Sequence, residues 1–282
     1  MRILRAVARP PFIEQLQNAW QEQDTLLCVG LDPHISRLPG NVSRDAEGML
    51  DFAIALVDAV ASYVCAFKPQ AAHFGAAGAE QQLQRLIAYI HEAHPRLPVI
   101  LDAKRSDIGD TAALYALEAF ERYGADAVTV NPFLGPESLR PYLAFEDRGV
   151  VVLCRTSNAD SDWLQAADPA DPAYLRIARS ATQWNTANNV MLVTGATYPH
   201  ELGTVRRAVG DMPLLVPGVG TQGGNLAEVI KQGCTADGTG LVINVSRSIS
   251  QASDGDDFAQ AAAAAAAHYG AQMRPSQIRL NR

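Results

Sequence analysis

The stretch Val99-Ile100-Leu101-Asp102-Ala103-Lys104-Arg105-Ser106-Asp107-Ile108-Gly109-Asp110-Thr111 decides how the chain is read. A short apolar run breaks into charged and turn-forming residues, and a helix-like stretch, Asp110 to Tyr123, follows at once. Run, polar break and helix are the parts of one strand–helix unit. Further apolar runs bounded by turn residues lie at Leu26 to Leu31, Tyr63 to Phe67, Ala125 to Val130, Val150 to Cys154, Val190 to Val193, Leu214 to Val216 and Leu241 to Val245. With Val99 to Leu101 they make eight candidate strands. Helix-like stretches stand between them at Ala46 to Val60, Ala79 to Glu92 and Leu226 to Gln232, several opening after Ser, Thr, Asp or Asn residues that can cap free backbone N–H groups.

Alternation of this kind calls for a parallel sheet, and the strands are apolar enough to be covered on both faces. The pattern therefore predicts an α/β protein, a single-domain (β/α)8 TIM barrel over residues 1–282, with a doubly wound open sheet as the second reading. No GxGxxG opens the first unit and no Pro- or Gly-rich linker divides the chain, which favours one domain. Two connections are long: Pro33 to Arg44, and an insertion-like loop at about 156–189 with a helical piece around Tyr174 to Trp184. Loops of that length act as lids or are plain surface insertions. The alanine run Ala261 to Ala267 is expected to form the last outer helix.

At 48% hydrophobic and 19% charged residues, the composition excludes a disordered chain, a collagen and a small disulfide scaffold. Lys and Arg total 23 against 30 Asp and Glu, a net charge of -7, so no global field attracts nucleic acid or anionic lipid. A phosphorylated ligand would need a local cationic site. No apolar run approaches the ~20 residues that span a bilayer, and no signal-peptide core stands at the N-terminus. A cytoplasmic protein with neither a membrane nor a nucleic acid as partner is expected. Cys28, Cys65, Cys154 and Cys234 are too scattered for a zinc or redox motif and read as buried reduced thiols. His91 and His94, three apart, read as a solvated helix end before Pro95 rather than as a metal site.

In such a barrel, function sits at the C-terminal strand ends. Asp102 and Lys104 are two apart and project to the same side of a strand, and an ion pair fixing the barrel mouth would explain them alone. Their company argues for more: Asp32 ends the first strand, Lys68 the second, Asn131-Pro132 the fourth and Thr156-Ser157-Asn158 the fifth. Polar residues converging on one rim make a candidate active site, where alternating carboxylates and ammonium groups hold fixed charges in a water-poor pocket. Arg105 should point outward into a salt bridge.

The late strands carry a second constellation: Thr194-Gly195-Ala196-Thr197, Pro217-Gly218-Val219-Gly220-Thr221-Gln222-Gly223-Gly224, and Asn244-Val245-Ser246-Arg247-Ser248. Glycines let backbone N–H groups approach an anion, and Arg247 can pair with phosphate in bidentate fashion. Loops after strands seven and eight are where barrels of this class bind phosphate.

The Asp-x-Lys-x-x-Asp-Ile-x-x-Thr core within Val99 to Ala112 resembles the signature of the orotidine 5'-phosphate decarboxylase family, and the length and long fifth loop are similar to its longer bacterial subfamily. The resemblance implies that Asp102, Lys104, Asp107 and Lys68 form an alternating charge network around the pyrimidine, with Lys104 as proton donor to C6. It implies a homodimer in which Asp107, Ile108 and Thr111 serve the neighbouring subunit's site. It gives Asp32 the ribose hydroxyls, Ser157 the pyrimidine edge, with Thr156 and Asn158 as its neighbours in contention, and Gln222 with Arg247 the phosphate; Pro217 and Ser246 are expected as further substrate contacts. Substrate and product would be orotidine 5'-phosphate and UMP, with no metal and no organic cofactor required. Two rivals share the fold: a magnesium-dependent sugar-phosphate decarboxylase or hexulose-phosphate synthase, disfavoured by Phe67-Lys68-Pro69 where an acidic metal ligand would stand, and a non-catalytic nucleotide-binding barrel.

Overall fold

The structure is a computed structural model and describes residues 9–220 and 223–280. Eight strands appear: β1 (Leu27–Leu31), β2 (Ala66–Pro69), β3 (Ile100–Arg105), β4 (Ala127–Val130), β5 (Gly149–Arg155), β6 (Val190–Thr194), β7 (Leu214–Pro217) and β8 (Leu241–Val245). Each pairs in parallel with its sequence neighbours, and β1 pairs with β8. Parallel bridges Phe67↔Val99 and Gln70↔Asp102 join β2 to β3 and complete the ring. The open-sheet reading is thereby excluded, and the chain is a single-domain (β/α)8 barrel.

Five of the eight strands, β1, β2, β4, β6 and β8, are buried along their whole length, because side chains on one face fill the barrel and those on the other meet the outer helices. The alanine-rich stretch forms the helix Phe258–Ala271, whose buried Ala262, Ala266 and Gly270 repeat every four residues. That small-residue stripe lets it lie close on the helix Ala46–Val60, with the Phe52 and Phe258 rings 5.1 Å apart.

Two differences from the sequence reading bear on the site. The apolar run Tyr63 to Phe67 is displaced as a strand: Ala61–Tyr63 is a 3-10 turn and β2 runs on to Pro69, so Lys68 lies inside the barrel wall, opposite Gly30. The helix expected at Asp110 to Tyr123 begins at Gly109 and changes at Glu118–Arg122 into a π-helical turn. Such turns re-aim side chains, and here Glu118 reaches the Arg105 guanidinium at 2.9 Å, the outward salt bridge expected of that arginine.

The helix Phe12–Gln23 was not foreseen, and it caps the barrel floor. Phe12, Leu16 and Trp20, spaced by four, are each under 5% exposed; burying each contributes about 1.5–3 kcal/mol. His91 also departs from expectation. Rather than ending in solvent, its Nε2 lies 2.9 Å from the carboxylate of fully buried Asp126, beside Arg9. All four cysteines are free and buried, and burial pushes the Cys28 thiol up to about 12. No helix among the described residues is long and apolar enough to cross a membrane.

Candidate active site

At the C-terminal mouth, Asp102 sits between two lysines. Lys68 Nζ donates to Oδ2 at 2.8 Å and Lys104 Nζ to Oδ1 at 2.6 Å. Asp102 and Lys68 are 6% and 4% exposed, whereas the Lys104 side chain is 47% exposed and faces the opening. Burial alone would raise the Asp102 carboxyl, but the ammonium groups of Lys68 and Lys104 outweigh it and hold the pKa well below the usual carboxylate range. Burial alone would lower Lys68, but Asp102 and then Asp32 hold it above the ordinary lysine value. Lys68 and Asp102 therefore stay charged as a pair across the neutral range.

Regular strand alternation does not bring Asp102 and Lys104 together. Between Leu101 and Arg105 the register with β4 shifts, and Lys104 has φ +48°. A non-glycine residue in the left-handed region costs roughly 1–2 kcal/mol and at functional sites reflects the surrounding structure's demand. The bulge lets Lys104 fold back onto Asp102 while its amine stays open to the mouth.

Asp32, just past β1, has a buried Oδ1 with no hydrogen-bond partner among the described residues, an acceptor that a hydroxyl could satisfy. It lines a cleft of about 150 Å³ together with Pro217, Gly218, Asn244, Ser246 and Arg247. Ser246 is seated there because Gly30 has no side chain: a Cβ at that position would lie 1.8 Å from the Ser246 hydroxyl oxygen. Gly218 and Gly220, at φ +102° and +89°, shape the loop after β7. Gln222 lies outside the described residues.

The loop after β5 is pinned from within. Thr156 Oγ1 donates to Asn158 Oδ1 at 2.6 Å, and Gln165 bonds both the Thr156 amide and its hydroxyl at 2.8 Å. The backbone of Ser157 packs on Gly195, where a Cβ would come within 2.8 Å. Arg155 underlies this loop. Fully buried, it pairs with Glu201, Asp162 and Ser161 and lies 3.5 Å from the centre of the Tyr198 ring. Sequence reading missed Arg155, whose charge directly after an apolar run was the available signal. It also missed Thr129, 1% exposed on β4, whose hydroxyl donates to Asp102 Oδ1 at 2.9 Å. A β-branched residue in Ala-Val-Thr-Val looks like any strand residue.

Asp107, Ile108 and Thr111 stand apart from the lysines of their own chain. The Asp107 carboxylate accepts from the Ile108 amide at 2.8 Å, and Ile108 is 59% exposed. Beyond them the helix Gly109–Leu117 exposes Leu114 and Leu117, which line a shallow groove with Thr111 and Tyr115. Among the described residues no group of three or more His, Cys, Asp and Glu side chains is placed to hold a metal ion.

The barrel, with a Lys-Asp-Lys array at its mouth and a cleft lined by Arg247 beside it, has the architecture of a TIM-barrel enzyme. A family model described as orotidine 5'-phosphate decarboxylase / HUMPS matches residues 25–264, and the chain belongs to that family. It is 56% identical over 255 residues to the orotidine 5'-phosphate decarboxylase of Cupriavidus necator, covering 89% of this chain and 93% of that one. The same named protein of Ralstonia nicotianae is 55% identical over 253 residues, with coverages of 89% and 93%. Among solved structures, the OMP decarboxylase of Leishmania donovani superposes with a TM-score of 0.83 at 35% identity, covering 96% of this chain and 99% of that one.

Proposed function

We propose that the chain decarboxylates orotidine 5'-phosphate to UMP and CO2 without a cofactor, the last step of de novo UMP synthesis. The observation that carries this reading is the Asp102 carboxylate clamped between the ammonium groups of Lys68 and Lys104 at the mouth of the barrel. The family description covers two activities, and the curated relatives above half identity carry the decarboxylase name.

Loss of CO2 from C6 leaves an electron pair in the ring plane with no conjugated sink, so the enzyme must supply a fixed positive charge beside that carbon. Lys104 does this: the C6–carboxylate bond breaks, the pair stays on C6, and an N–H proton of Lys104 moves to C6 as CO2 departs. Solvent then reprotonates the amine through the open mouth. Asp102 lies beside the departing carboxylate, and Lys68 keeps Asp102 charged. Arg247 with Gln222 binds the phosphate, in a cleft that Ser246 and Pro217 also line; Asp32 accepts from the ribose hydroxyls; Ser157 reads the pyrimidine edge. Binding energy from the phosphate and ribose, remote from C6, positions the charges.

The homodimer belongs to this reading. Asp107, Ile108 and Thr111 of a second copy complete each site, and exposed Ile108, Leu114 and Leu117 supply the apolar surface for that contact. Four buried thiols suit a reducing cytoplasm.

The test is loss of orotidine 5'-phosphate absorbance in EDTA, with wild type and Lys104→Ala side by side. Turnover by the wild type alone supports the reading. No turnover, with activity on a sugar phosphate once magnesium is added, moves the chain to the other branch of the family. Binding of UMP with no turnover of either substrate leaves a nucleotide-binding barrel.

A further inference from the structure

On β4, Val128 pairs with Leu101 and Val130 with Arg105, so the single residue Thr129 stands opposite Asp102, Ala103 and Lys104. The extra residues bulge out of the ladder, and their amides lose the β4 carbonyls that a regular parallel pair would offer. One side chain replaces them. The Thr129 hydroxyl oxygen accepts from the Ala103 amide at 3.0 Å and from the Lys104 amide at 2.9 Å, while its hydrogen goes to Asp102 Oδ1 at 2.9 Å.

A hydroxyl offers one donor and two acceptor lone pairs. All three are used, and the residue is 1% exposed, so no water competes for them. The same hydroxyl thus touches the backbone of the residue at φ +48° and the carboxylate that this residue's own amine grips at 2.6 Å. Other groups on Asp102 cannot do this: Lys68 reaches only Oδ2 and touches neither amide.

We infer that Thr129 is the positioning residue for the reaction, its hydroxyl locking the left-handed turn at Lys104 and the Asp102 carboxylate into one rigid unit. This rests on the decarboxylase reading for its kinetic consequence but not for its structural one. Valine has the shape of threonine without the hydroxyl, and it would leave two amides and a carboxylate oxygen short of a partner at the point that aims Lys104.

The test compares Thr129→Val and Thr129→Ser in the full-length protein. Misaiming a reacting group by about an ångström costs on the order of 100-fold, so Thr129→Val should lower kcat by about 10- to 100-fold. Its Kd for UMP should stay within about threefold, since phosphate and ribose are held by other loops. Thr129→Ser, which keeps the hydroxyl, should recover kcat to within about fivefold of wild type. If the valine variant does not fold, Thr129→Ala takes its place, its small cavity admitting a water that satisfies the amides without fixing them. The proposal fails if Thr129→Val keeps kcat within threefold of wild type, if serine is as slow as valine, or if UMP binding weakens in step with kcat. Deuterium exchange at the Ala103 and Lys104 amides separates the two layers: faster exchange in the valine variant supports the lock, and unchanged exchange overturns it at any activity. A wild type without turnover instead overturns the decarboxylase reading.

Discussion

The barrel buries an aspartate between cations at each end, and the two clusters differ in one respect. At the floor, Asp126 is wholly buried and accepts from Arg9, Gln15, His91 and the Val99 amide, all between 2.8 and 3.2 Å. Every oxygen is saturated from several directions by the fold itself. At the mouth, Asp102 is as tightly held, but Lys104 is half exposed and the neighbouring Asp32 has a buried oxygen with no partner among the described residues. A closed ion cluster joins elements; one with an open side and an orphaned acceptor next to it is arranged for something that arrives later. Magnitude of charge or depth of burial does not separate the two, and completeness of partners does.

The comparison breaks most sharply at Lys104. Lys104→Ala should lower turnover by about four orders of magnitude or more, as proton donor and fixed charge vanish together, while the denaturation midpoint stays near wild type because the lost partner was exposed. A stopped-assay rate beside a urea melt checks both halves. The counterpart is Asp126→Asn, which should leave kcat untouched and cost about 3 kcal/mol of stability, since it removes the buried charge that the partly buried Arg9 guanidinium and His91 pair with. Burial opposes ionisation of Asp126, but His91 and then Arg9 hold its pKa near 2, below the ordinary 3.8. A depressed carboxylate contributes stability above its unfolded pKa and loses it as pH falls through the folded value. The gap between wild type and Asp126→Asn in urea should therefore narrow by about 2 kcal/mol between pH 5 and pH 2. A gap that does not change with pH would break the account of the floor.

Arg247 comes next. It stands exposed at the cleft after β8. Arg247→Ala should raise KM by about 10- to 100-fold, with kcat less affected, and should weaken UMP far more than uridine. Equal loss for both ligands would remove it from the phosphate site.

Much of this contrast was legible in the sequence, and the reason is periodicity. Apolar runs alternating with helix signals gave the barrel, and charges directly after those runs gave Asp32, Lys68, Asp102, Lys104 and Arg247, because strand ends converge whatever the loops do. What stayed hidden depended on contacts between residues far apart in the chain. Asp126 lies inside an apolar run as a lone carboxylate, and its partners Arg9, Gln15 and His91 come from three other segments. Thr129 is masked by its β-branched shape, and the bulge it fills follows from register with a neighbouring strand. The pairing of Asp102 with Lys104 was anticipated on strand alternation, yet it is achieved through a left-handed turn that no local preference of lysine favours.

The smallest effect sharpens the comparison from outside both clusters. Arg85 and Glu47 approach to 2.7 Å, as close as either buried pair, yet both side chains are more than half exposed. Hydrogen bonds from Gln82 and then Arg85 lower the Glu47 carboxyl. Water already solvates both charges, and holding two long side chains in one geometry costs rotamer freedom that the screened attraction barely offsets. Arg85→Ala should therefore leave the urea midpoint and kcat unchanged at 0.15 M salt, a concentration that screens such pairs over about 8 Å. A clear loss of stability in that variant would mean that distance alone sets the strength of an ion pair in this barrel, and the distinction drawn between floor, mouth and surface would fall with it.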